Sequence, residues 1–539
     1  MNRHARASFV AAICLATAAS TLVAQTAASR AGVVQESDVR RYLTYLASDE
    51  LMGREVFTEG YGAASQYVAD ELKAAGVQPL GDHGSYFQMV RLNDVNVIAD
   101  NTAVIVTVNG ASKTFKNGQG VSFVAPVGGK RTVNFDTATF LNYALYLDGR
   151  DDYKGENVRG KAVVWASTRP AGLSGDASQL ASVEARSRHL LHEAFAGASI
   201  AYAPVIQRAE TQFQTVENFE RANAPDVTGS DEFFSFLLSG KPGQFDAFKA
   251  AAGSGGAMPP ISLAGVSLSF IIDAKYQVLS TRLTRNVVGI VEGADPALKN
   301  TYVMYGAHLD HVGTATSNAG PGRVVNPIET DKIWNGADDD GSGSSGMLAI
   351  AKTFAAAPKP KRSVVFVWHT GEEADLYGSR YNADFPVVPL EKVVAQLNID
   401  MIGRDRDNNA KYADTVYVIG ADRISTALHN AVVSTNDAQK NPLDLDFEFN
   451  DPADPEAFYY RSDHFSYAAK DVPIAFFFTG THPDYHANSD SVEKIRFDKL
   501  TRIAQMVYQV GLNIANNPVV PAKDHLGPRA GKGFAGPIK

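Results

Sequence analysis

Two stretches decide the fold: TYVMYGAHLDH at residues 301–311 and SVVFVWHTGEE at residues 363–373. Each begins with a continuous apolar run, as strands buried on both faces do, and each ends in histidine and carboxylate residues. Apolar runs at 287–291, 394–399 and 472–478 have the same character, and helical segments alternate with them. The pattern predicts an α/β fold with a mostly parallel central sheet flanked by helices.

Helices are predicted where apolar residues recur every three or four positions. This spacing begins near Ser37 and returns after Tyr61 in a segment that Gly76 ends. An Ala-rich buried helix and a closing amphipathic helix follow the central strands. The predicted helices are 37–46, 61–75, 345–356 and 497–516.

Composition excludes several kinds of partner. The chain has 539 residues, which is too long for one ordinary core, and its net charge is −9. A negative chain lacks the basic surface that nucleic acid requires. No stretch after the N-terminal region reaches about 18 apolar residues, so we expect no membrane span in the mature form.

The N-terminal region is typical of a secretory signal. Basic residues precede an apolar run at 9–24, and small residues follow it. We expect cleavage between Ala24 and Ala28 and a secreted or periplasmic bacterial protein, with a retained N-terminal anchor as the alternative. The single cysteine, Cys14, lies within this segment. The mature chain therefore has no thiolate, and any metal must be held by histidine and carboxylates.

The predicted secondary structure changes in the middle of the chain, where the strands become short. Short β-like runs occur at 162–165 and 200–202, with a helical stretch at 186–196 between them. We expect a β-rich inserted domain there. The predicted organisation is a signal peptide at 1–28, a discontinuous main domain at 29–130 and 285–516, the insert at 131–284, and a flexible tail at 517–539.

The first group of ionisable residues is His308 and Asp310, directly after a predicted strand. Residues two apart on an extended segment point to the same side. Asp310 is therefore predicted to accept a hydrogen bond from His308 and to orient it for a metal. Taken alone, this pair is equally compatible with a surface turn.

The second group is the run Asp338, Asp339 and Asp340 before the Ala-rich helix. Three adjacent carboxylates repel one another unless cations neutralise them. A helix N-terminus, where acids complement the helix dipole, is the alternative, and it explains one of the three well. Asp has the short, stiff side chain that suits a carboxylate bridging two metals.

Two further groups follow the next strands. Glu372 and Glu373 are neighbours, so their side chains diverge if the segment is extended. One can then bind a metal while the other reaches the attacking water, the division that a two-metal hydrolase needs. Two exposed acids in a loop are the alternative. Asp400 is a single acid after an apolar strand.

The last group is Tyr485 and His486, which follow the final predicted strand. His486 is a candidate ligand, and Tyr485 can donate a hydrogen bond to a developing oxyanion or simply pack in the core or at the rim. Strands in an open α/β sheet gather ligands at their carboxyl ends. Five ligands with one bridging Asp give two zinc ions three contacts each and leave an open position.

Taken in order, these motifs resemble the secreted di-zinc aminopeptidases, a family that also includes glutamate carboxypeptidase and glutaminyl cyclase branches. The resemblance runs through His-x-Asp, Asp-Asp-Asp-Gly-Ser-Gly, Gly-Glu-Glu, Asn-Ile-Asp-Met-Ile-Gly-Arg, Ser-Asp-His and Tyr-His. The segments 51–54 and 61–76 also resemble the opening of such enzymes. The resemblance implies a zinc exopeptidase that removes N-terminal residues from peptides with a free N-terminus.

The resemblance also implies a role for each residue. One zinc would be held by His308 and Asp400, the other by Glu373 and His486, and Asp339 would bridge them. Glu372 would be the general base, Asp310 the partner of His308, and Tyr485 a stabiliser of the tetrahedral intermediate. The peptide between Asp339 and Asp340 is expected to be cis.

The insert resembles a protease-associated domain at residues 152–155, 158–164 and 194–200, and it departs from that pattern at 217–239. In such enzymes the insert covers the rim of the active site.

Three other functions are weighed. A carboxypeptidase acting on acidic dipeptides would need a cationic pocket, for which Arg404 and Arg461 are candidates without forming a dense arginine cluster. Glutaminyl cyclases generally lack the insert. A receptor-like binding ectodomain without activity would be expected to have lost metal ligands, whereas every predicted ligand and the base Glu372 are present here.

Overall fold

The computed structural model describes residues 32–528 apart from 125–127, 148–149, 174–181, 207–210 and 317–329. The predicted signal peptide, 1–28, lies outside the described residues. No helix in the described part of the chain is both long and apolar enough to cross a membrane.

The elements are numbered in chain order. The strands are β1 (Gln78–Pro79), β2 (Phe87–Ile98), β3 (Ala103–Val108), β4 (Ala111–Lys116), β5 (Val121–Phe123), β6 (Arg131–Phe135), β7 (Ala138–Phe140), β8 (Tyr146–Leu147), β9 (Arg150–Asp151), β10 (Ala162–Ala166), β11 (Ala198–Tyr202), β12 (Gln212–Thr215), β13 (Asp226–Gly229), β14 (Val266–Ile272), β15 (Lys275–Val291), β16 (Tyr302–His308), β17 (Ser363–His369), β18 (Val393–Ile399), β19 (Thr415–Ile419), β20 (Asp444–Asp446) and β21 (Ile474–Phe478). The helices are α1 (Glu36–Leu46), α2 (Glu59–Ala75), α3 (Val183–His192), α4 (Asp231–Leu237), α5 (Gln244–Ser254), α6 (Gly343–Ala356), α7 (Tyr377–Asp384), α8 (Thr426–Asp437), α9 (His464–Ala468) and α10 (Phe497–Asn516).

The central sheet has ten strands in the order β12-β2-β15-β17-β16-β18-β21-β19-β20, with β1 paired to β15. Its centre, β17-β16-β18-β21, is parallel. Strands β2, β15 and β12 join it on one side in antiparallel pairings, and β19 is antiparallel to β21 on the other. The predicted α/β class is confirmed, and the sheet is mixed, with its parallel part in the middle.

The central strands are buried because helices cover both faces of the sheet. Strands β17, β18 and β21 are buried at every position. Helices α1, α2, α6 and α10 contribute to one large apolar core against the sheet. A second core forms on the other face, around Val365, Tyr417 and Phe476. Continuous apolar runs in the sequence are the result of this double covering.

The predicted helices are confirmed within a few residues of their ends. Helix α2 begins after Thr58, whose hydroxyl accepts a hydrogen bond from the Tyr61 N–H at 3.3 Å. It ends at Gly76, which has a φ of 82°. Glycine adopts this left-handed conformation without the steric cost of a Cβ atom, so it ends the helix there.

A second unit lies between β2 and β15 in the sequence. It contains a five-stranded sheet, β5-β13-β11-β10-β7, and a four-stranded sheet, β4-β3-β14-β6. Its main apolar core takes residues from Val104 to Ile272. The unit therefore includes β3, β4 and β5, which precede residue 131, while β15 already belongs to the central sheet from Lys275. Its relationship to protease-associated domains stays a prediction.

The C-terminal segment 517–528 lies against the main domain. The His525 N–H donates to the carbonyl oxygen of Ile424 at 3.1 Å, and Asp524 accepts a hydrogen bond from the Thr426 N–H at 3.3 Å. The rest of the predicted flexible tail lies outside the described residues.

Candidate metal centre

The predicted site residues meet at one edge of the central sheet. Strand β16 ends at His308, β17 at His369 and β18 at Ile399, directly before Asp400. These strands are parallel, so their carboxyl ends lie together. The α/β rule that ligands gather at this edge therefore locates the site.

The first group of ligand atoms consists of His308, Asp339 and Asp400. The His308 Nε2 atom lies 3.1 Å from Asp339 Oδ1 and 3.6 Å from Asp400 Oδ1. All three side chains are buried, and one ligand atom from each lies within 4.8 Å of the others. Burial alone would lower the pKa of His308, but the carboxylates of Asp400 and Glu372 outweigh it and raise that pKa well above its usual range.

The second group shares Asp339 with the first. The His486 Nε2 atom lies 3.1 Å from Asp339 Oδ2 and 3.0 Å from Glu373 Oε2. The two oxygens of Asp339 thus face histidine nitrogens on opposite sides, Oδ1 toward His308 and Oδ2 toward His486. This is the arrangement expected of a carboxylate that bridges two metals.

The sequence did not single out His311, which is part of the same cluster. Its Nδ1 atom lies 2.7 Å from Glu373 Oε1 and 3.9 Å from Asp339 Oδ2, and its ring centroid is 5.8 Å from that of His486. His311, Asp339 and Glu373 also form a group whose ligand atoms lie within 4.8 Å of one another. The feature of the sequence that could have identified His311 as part of the site is its position directly after Asp310.

The donor set fits zinc. Imidazole nitrogens and carboxylate oxygens are common zinc ligands, and here they converge in a buried cluster without a cysteine. Burial of Glu373 would raise its pKa, but His486 and His311 outweigh that effect and lower the pKa to about 2. In the described part of the chain, two groups of three or more side chains could hold a metal ion, and both lie in this cluster: His308, Asp339 and Asp400, and His311, Asp339 and Glu373.

The three consecutive aspartates have three different partners. Asp338 accepts a hydrogen bond from the Gly403 N–H at 2.6 Å, and its Oδ2 atom lies 3.1 Å from His482 Nε2. Asp339 faces the metal ligands. The peptide bond between Asp339 and Asp340 is cis, as the resemblance implied.

Asp340 is satisfied by the backbone instead of by a cation. Its carboxylate accepts hydrogen bonds from the N–H groups of Met401 at 3.1 Å, Gly343 at 2.8 Å and His308 at 3.2 Å. Burial raises its pKa well above the usual range. Of the three acids, Asp339 is therefore the one whose two oxygens are directed at histidines of the candidate metal groups.

The contact between Asp310 and His308 differs from the prediction. His308 Nδ1 lies 3.1 Å from the backbone carbonyl oxygen of Asp310, whereas the Asp310 carboxylate is 4.0 Å away. That carboxylate accepts hydrogen bonds from the N–H groups of Glu372 at 3.1 Å and Glu373 at 3.3 Å. Strand β16 ends at His308, so the extended geometry behind the prediction stops before Asp310. Asp310 orients His308 through its carbonyl and the glutamate pair through its side chain.

Asp400 is held by a pair of side chains. The Ser462 hydroxyl donates to Asp400 Oδ2 at 2.7 Å, and the Asn398 amide donates to the Ser462 oxygen at 2.9 Å. Ser462 begins the Ser-Asp-His motif. These bonds fix the carboxylate so that its Oδ1 atom faces His308, which explains why that motif belongs to the site.

A buried arginine lies beneath the acidic cluster. Arg54 is 1% exposed and donates to the carbonyl oxygens of Leu309 at 2.9 Å, Asn335 at 2.7 Å and Gly336 at 3.0 Å. Its charge acts on Asp310, Asp340 and other acids of the cluster. The predicted loop at 51–54 thus supplies a fixed positive charge beside the acids and holds the loops that carry them.

Glu372 and Tyr485 both line the pocket that opens onto Asp339 and Asp400. The Glu372 Oε2 atom is 4.0 Å from His308 Nε2. Burial and the neighbouring charges of Glu373 and Asp400 raise the pKa of Glu372 well above its usual range, against the effect of His308. The Tyr485 ring stacks on His486 with centroids 4.0 Å apart.

The remaining wall of the pocket is mostly apolar. Arg461 is the one cation in the described lining. It is about a third exposed and lies 3.5 Å from the Tyr485 hydroxyl. The other candidate cation, Arg404, is buried and pairs with Asp484 at 2.9 Å. The remaining lining residues are Met401, Phe458, Phe476, Phe478 and Thr481.

Residues 286–511 match the model of Peptidase family M28. Among curated proteins, leucine aminopeptidase 2 of Trichophyton equinum is 32% identical over 228 residues, covering 41% of this chain and 39% of that protein. Leucine aminopeptidase 2 of Arthroderma otae is 28% identical over 256 residues, covering 43% and 44%. The chain thus matches about two fifths of the length of these relatives.

Among solved structures, an aminopeptidase from Aneurinibacillus sp. strain AM-1 is 16% identical, with a TM-score of 0.43, covering 94% of this chain and 97% of that one. A zinc aminopeptidase from Bacillus subtilis is also 16% identical, with a TM-score of 0.42, covering 91% and 98%. The family expected from the motifs is confirmed over residues 286–511, which match peptidase family M28.

Proposed function

We propose that the chain is a zinc-dependent aminopeptidase that binds two metal ions and removes N-terminal residues from peptides. The observation that supports this most directly is the position of Asp339, whose two oxygens lie 3.1 Å from His308 Nε2 and 3.1 Å from His486 Nε2. The match to peptidase family M28 and the leucine aminopeptidase relatives support the same reaction class. The predicted export of the chain is part of this proposal and rests on the apolar run at 9–24.

Each residue has a chemical role in this proposal. His308 and Asp400 would hold one ion, and Glu373 and His486 would hold the other. Asp339 would bind both ions. His311 would fix the orientation of Glu373 through their 2.7 Å contact. Bound zinc supplies Lewis acidity and makes a bound water more acidic. Glu372 would take the proton from the attacking water and pass it to the leaving amine, since it lines the pocket 4.0 Å from His308 Nε2.

The pocket supports an apolar N-terminal side chain. Met401, Phe458, Phe476 and Phe478 are each nearly buried and line the wall next to the metal-binding side chains. The Tyr485 hydroxyl would donate to the oxygen of the scissile carbonyl as negative charge develops on it, since Tyr485 lines the pocket and stacks on His486.

The carboxypeptidase alternative has one observation in its favour. Arg461 lines the pocket, and its guanidinium contacts Glu456 Oε2 at 3.3 Å, the Glu456 carbonyl oxygen at 3.4 Å, the Tyr485 hydroxyl at 3.5 Å and the Phe458 ring at 4.6 Å. A carboxylate of an acidic dipeptide could compete for it. A single arginine, 38% exposed, on a mostly apolar wall favours the aminopeptidase.

The test compares two substrate sets with and without chelator. We expect hydrolysis of leucyl- and phenylalanyl-nitroanilide, loss of activity with chelator, and recovery on addition of zinc. Acidic dipeptides should be poor substrates, and Asp339→Asn should lose both metal and activity. Preferential cleavage of acidic dipeptides would establish the carboxypeptidase, and no hydrolysis by zinc-loaded protein would leave the binding ectodomain.

A further inference from the structure

One contact between the inserted unit and the main domain is made by a mostly buried carboxylate. Glu193 follows directly after helix α3, and its side chain is 11% exposed. Its Oε2 atom accepts from Arg423 Nη1 at 2.6 Å, and its Oε1 atom lies 2.8 Å from His189 Nδ1 and accepts from the Tyr460 hydroxyl. These four side chains, Glu193, His189, Arg423 and Tyr460, are called the Glu193 cluster.

The main-domain side of the Glu193 cluster is itself held firmly. The Arg423 guanidinium donates to the Asn450 carbonyl oxygen at 2.8 Å and lies 3.7 Å from the centroid of the Tyr459 ring. From the insert, the Arg188 guanidinium lies 4.2 Å above the ring of Tyr460. A buried charge pair with this many additional partners resists separation, since removal of one partner leaves the other charge unpaired.

The segment held by the Glu193 cluster belongs to the pocket. Tyr460 is the last residue of the 3₁₀ turn Phe458–Tyr460, and Phe458, at its start, lines the pocket. Arg461, the next residue, also lines it. Ser462 then donates to Asp400, a candidate metal ligand. Five consecutive residues thus connect the insert, the pocket wall and the metal centre.

A second contact between insert and main domain serves as a comparison. Glu217 accepts from Arg380 Nη2 at 2.7 Å. This pair joins α7 to the segment of the predicted insert that directly follows β12, a strand of the central sheet, and neither residue is among those that line the pocket. If the insert only strengthened the fold, loss of either pair would have the same kind of effect.

We propose that Glu193 is a positioning residue through which the insert fixes the 458–461 wall of the pocket and so sets the affinity for the side chain of the N-terminal residue. This inference rests on the proposed function. None of the described residues of the insert lines the pocket, so the insert contributes to substrate binding by acting on the turn that presents Phe458 and Arg461.

The test measures kcat and KM separately for Glu193→Gln. We expect KM for phenylalanyl-nitroanilide to rise roughly tenfold, within the range by which residues in contact are coupled, and kcat to stay within about twofold. The KM for alanyl-nitroanilide should rise less, because a small side chain makes little use of the wall. The matched control, Glu217→Gln, removes a carboxylate from the other contact and should leave both KM values near wild type.

Hydrogen exchange of the backbone amides in 458–462 measures the local stability of the pocket wall and does not depend on enzyme activity. Exchange should be faster in Glu193→Gln than in wild type or Glu217→Gln. Should the wild type prove inactive while this difference persists, the proposed function fails and the positioning role stands. Unchanged exchange, or equal KM changes in Glu193→Gln and Glu217→Gln, overturns the positioning role. Where Glu193→Gln does not fold, Tyr460→Phe, which removes one hydroxyl of the cluster, takes its place with the same criteria.

Discussion

The central sheet and the insert contain the same kind of strand but lead to different chemistry. Strands β17 and β18 of the central sheet and β10 and β11 of the insert are parallel to a neighbour and buried along their whole length. Strand β18 is followed directly by Asp400, whereas β10 is followed by Ser167 and β11 by Ala203. A buried parallel strand therefore identifies a core, and only the residues after it identify a site.

The treatment of buried charge separates the two regions further. In the insert, Arg186 donates to the carbonyl oxygens of Tyr143 at 3.0 Å and Ala166 at 3.1 Å, and the Ser187 hydroxyl donates to Asp226 at 2.6 Å. Each of these charges is satisfied by neutral groups nearby. At the metal centre, carboxylates and imidazoles face one another around a common point. Convergence of several ionisable side chains, more than burial of any one, marks the functional region.

The largest effect on turnover is expected when the proposed general base is removed and the metal ligands are kept. Glu372→Gln keeps the shape of the side chain but cannot take a proton, so kcat should fall by roughly 10²- to 10⁴-fold while the protein still binds zinc. Rates on leucyl-nitroanilide and metal content by mass spectrometry check this. Glu373→Gln is the matched neighbour, and it should lose metal from the second group. Near-normal turnover in Glu372→Gln would mean that the base is another residue.

Two tryptophans compare the cores of the two regions. Trp165 in β10 and Trp368 in β17 are both completely buried, and each indole N–H has one acceptor, the Ser199 hydroxyl at 3.1 Å and the Ser344 carbonyl at 3.2 Å. Trp165→Ala should lower the free energy of unfolding of the insert by about 3–5 kcal/mol, the usual loss for a large core side chain. Its zinc content should stay at the wild-type level.

Trp368→Ala should cost a similar amount but also reduce zinc content, because Trp368 precedes His369 and the turn that carries Glu372 and Glu373. Denaturant unfolding and metal analysis of both variants check the pair. Equal zinc content in the two variants would show that the core under the metal centre has no special role in shaping it.

The sequence predicted the parts of the fold that depend on local pattern. Helix ends were close because caps such as Thr58 and Gly76 act within one turn. Four of the five proposed ligands were singled out because they follow apolar strands, and Asp339 because it lies in a run of three acids before a helix. The antiparallel direction of the outer strands was not predicted, since it depends on the edge of the sheet at which the loop before each strand ends. Strands β3, β4 and β5 belong to the sheets of the second unit although they precede residue 131, and their sequence has no feature that distinguishes them from the main domain.

Two features of the site depended on where the chain turns. Asp310 was expected to meet His308 through its side chain, but strand β16 ends at His308 and the carbonyl makes that contact. The same turn brings the His311 side chain to Glu373. The backbone N–H of His311 donates to the carbonyl oxygen of Arg54 at 3.2 Å. Contacts between segments more than two hundred residues apart in the chain cannot be read from spacing.

The smallest effect concerns the orientation of one ligand. Ser462→Ala removes the 2.7 Å hydrogen bond to Asp400 and should weaken metal binding by about 10- to 100-fold, as loss of a partner that orients a ligand commonly does. Ser187→Ala is the matched change in the insert, since it removes a 2.6 Å bond to Asp226 and should leave metal affinity unchanged. Competition with a zinc chelator measures both. Because Asp400 belongs to only one of the two groups, the loss should appear in one of two binding phases. A uniform weakening of both phases would show that the two groups respond as a single unit through Asp339.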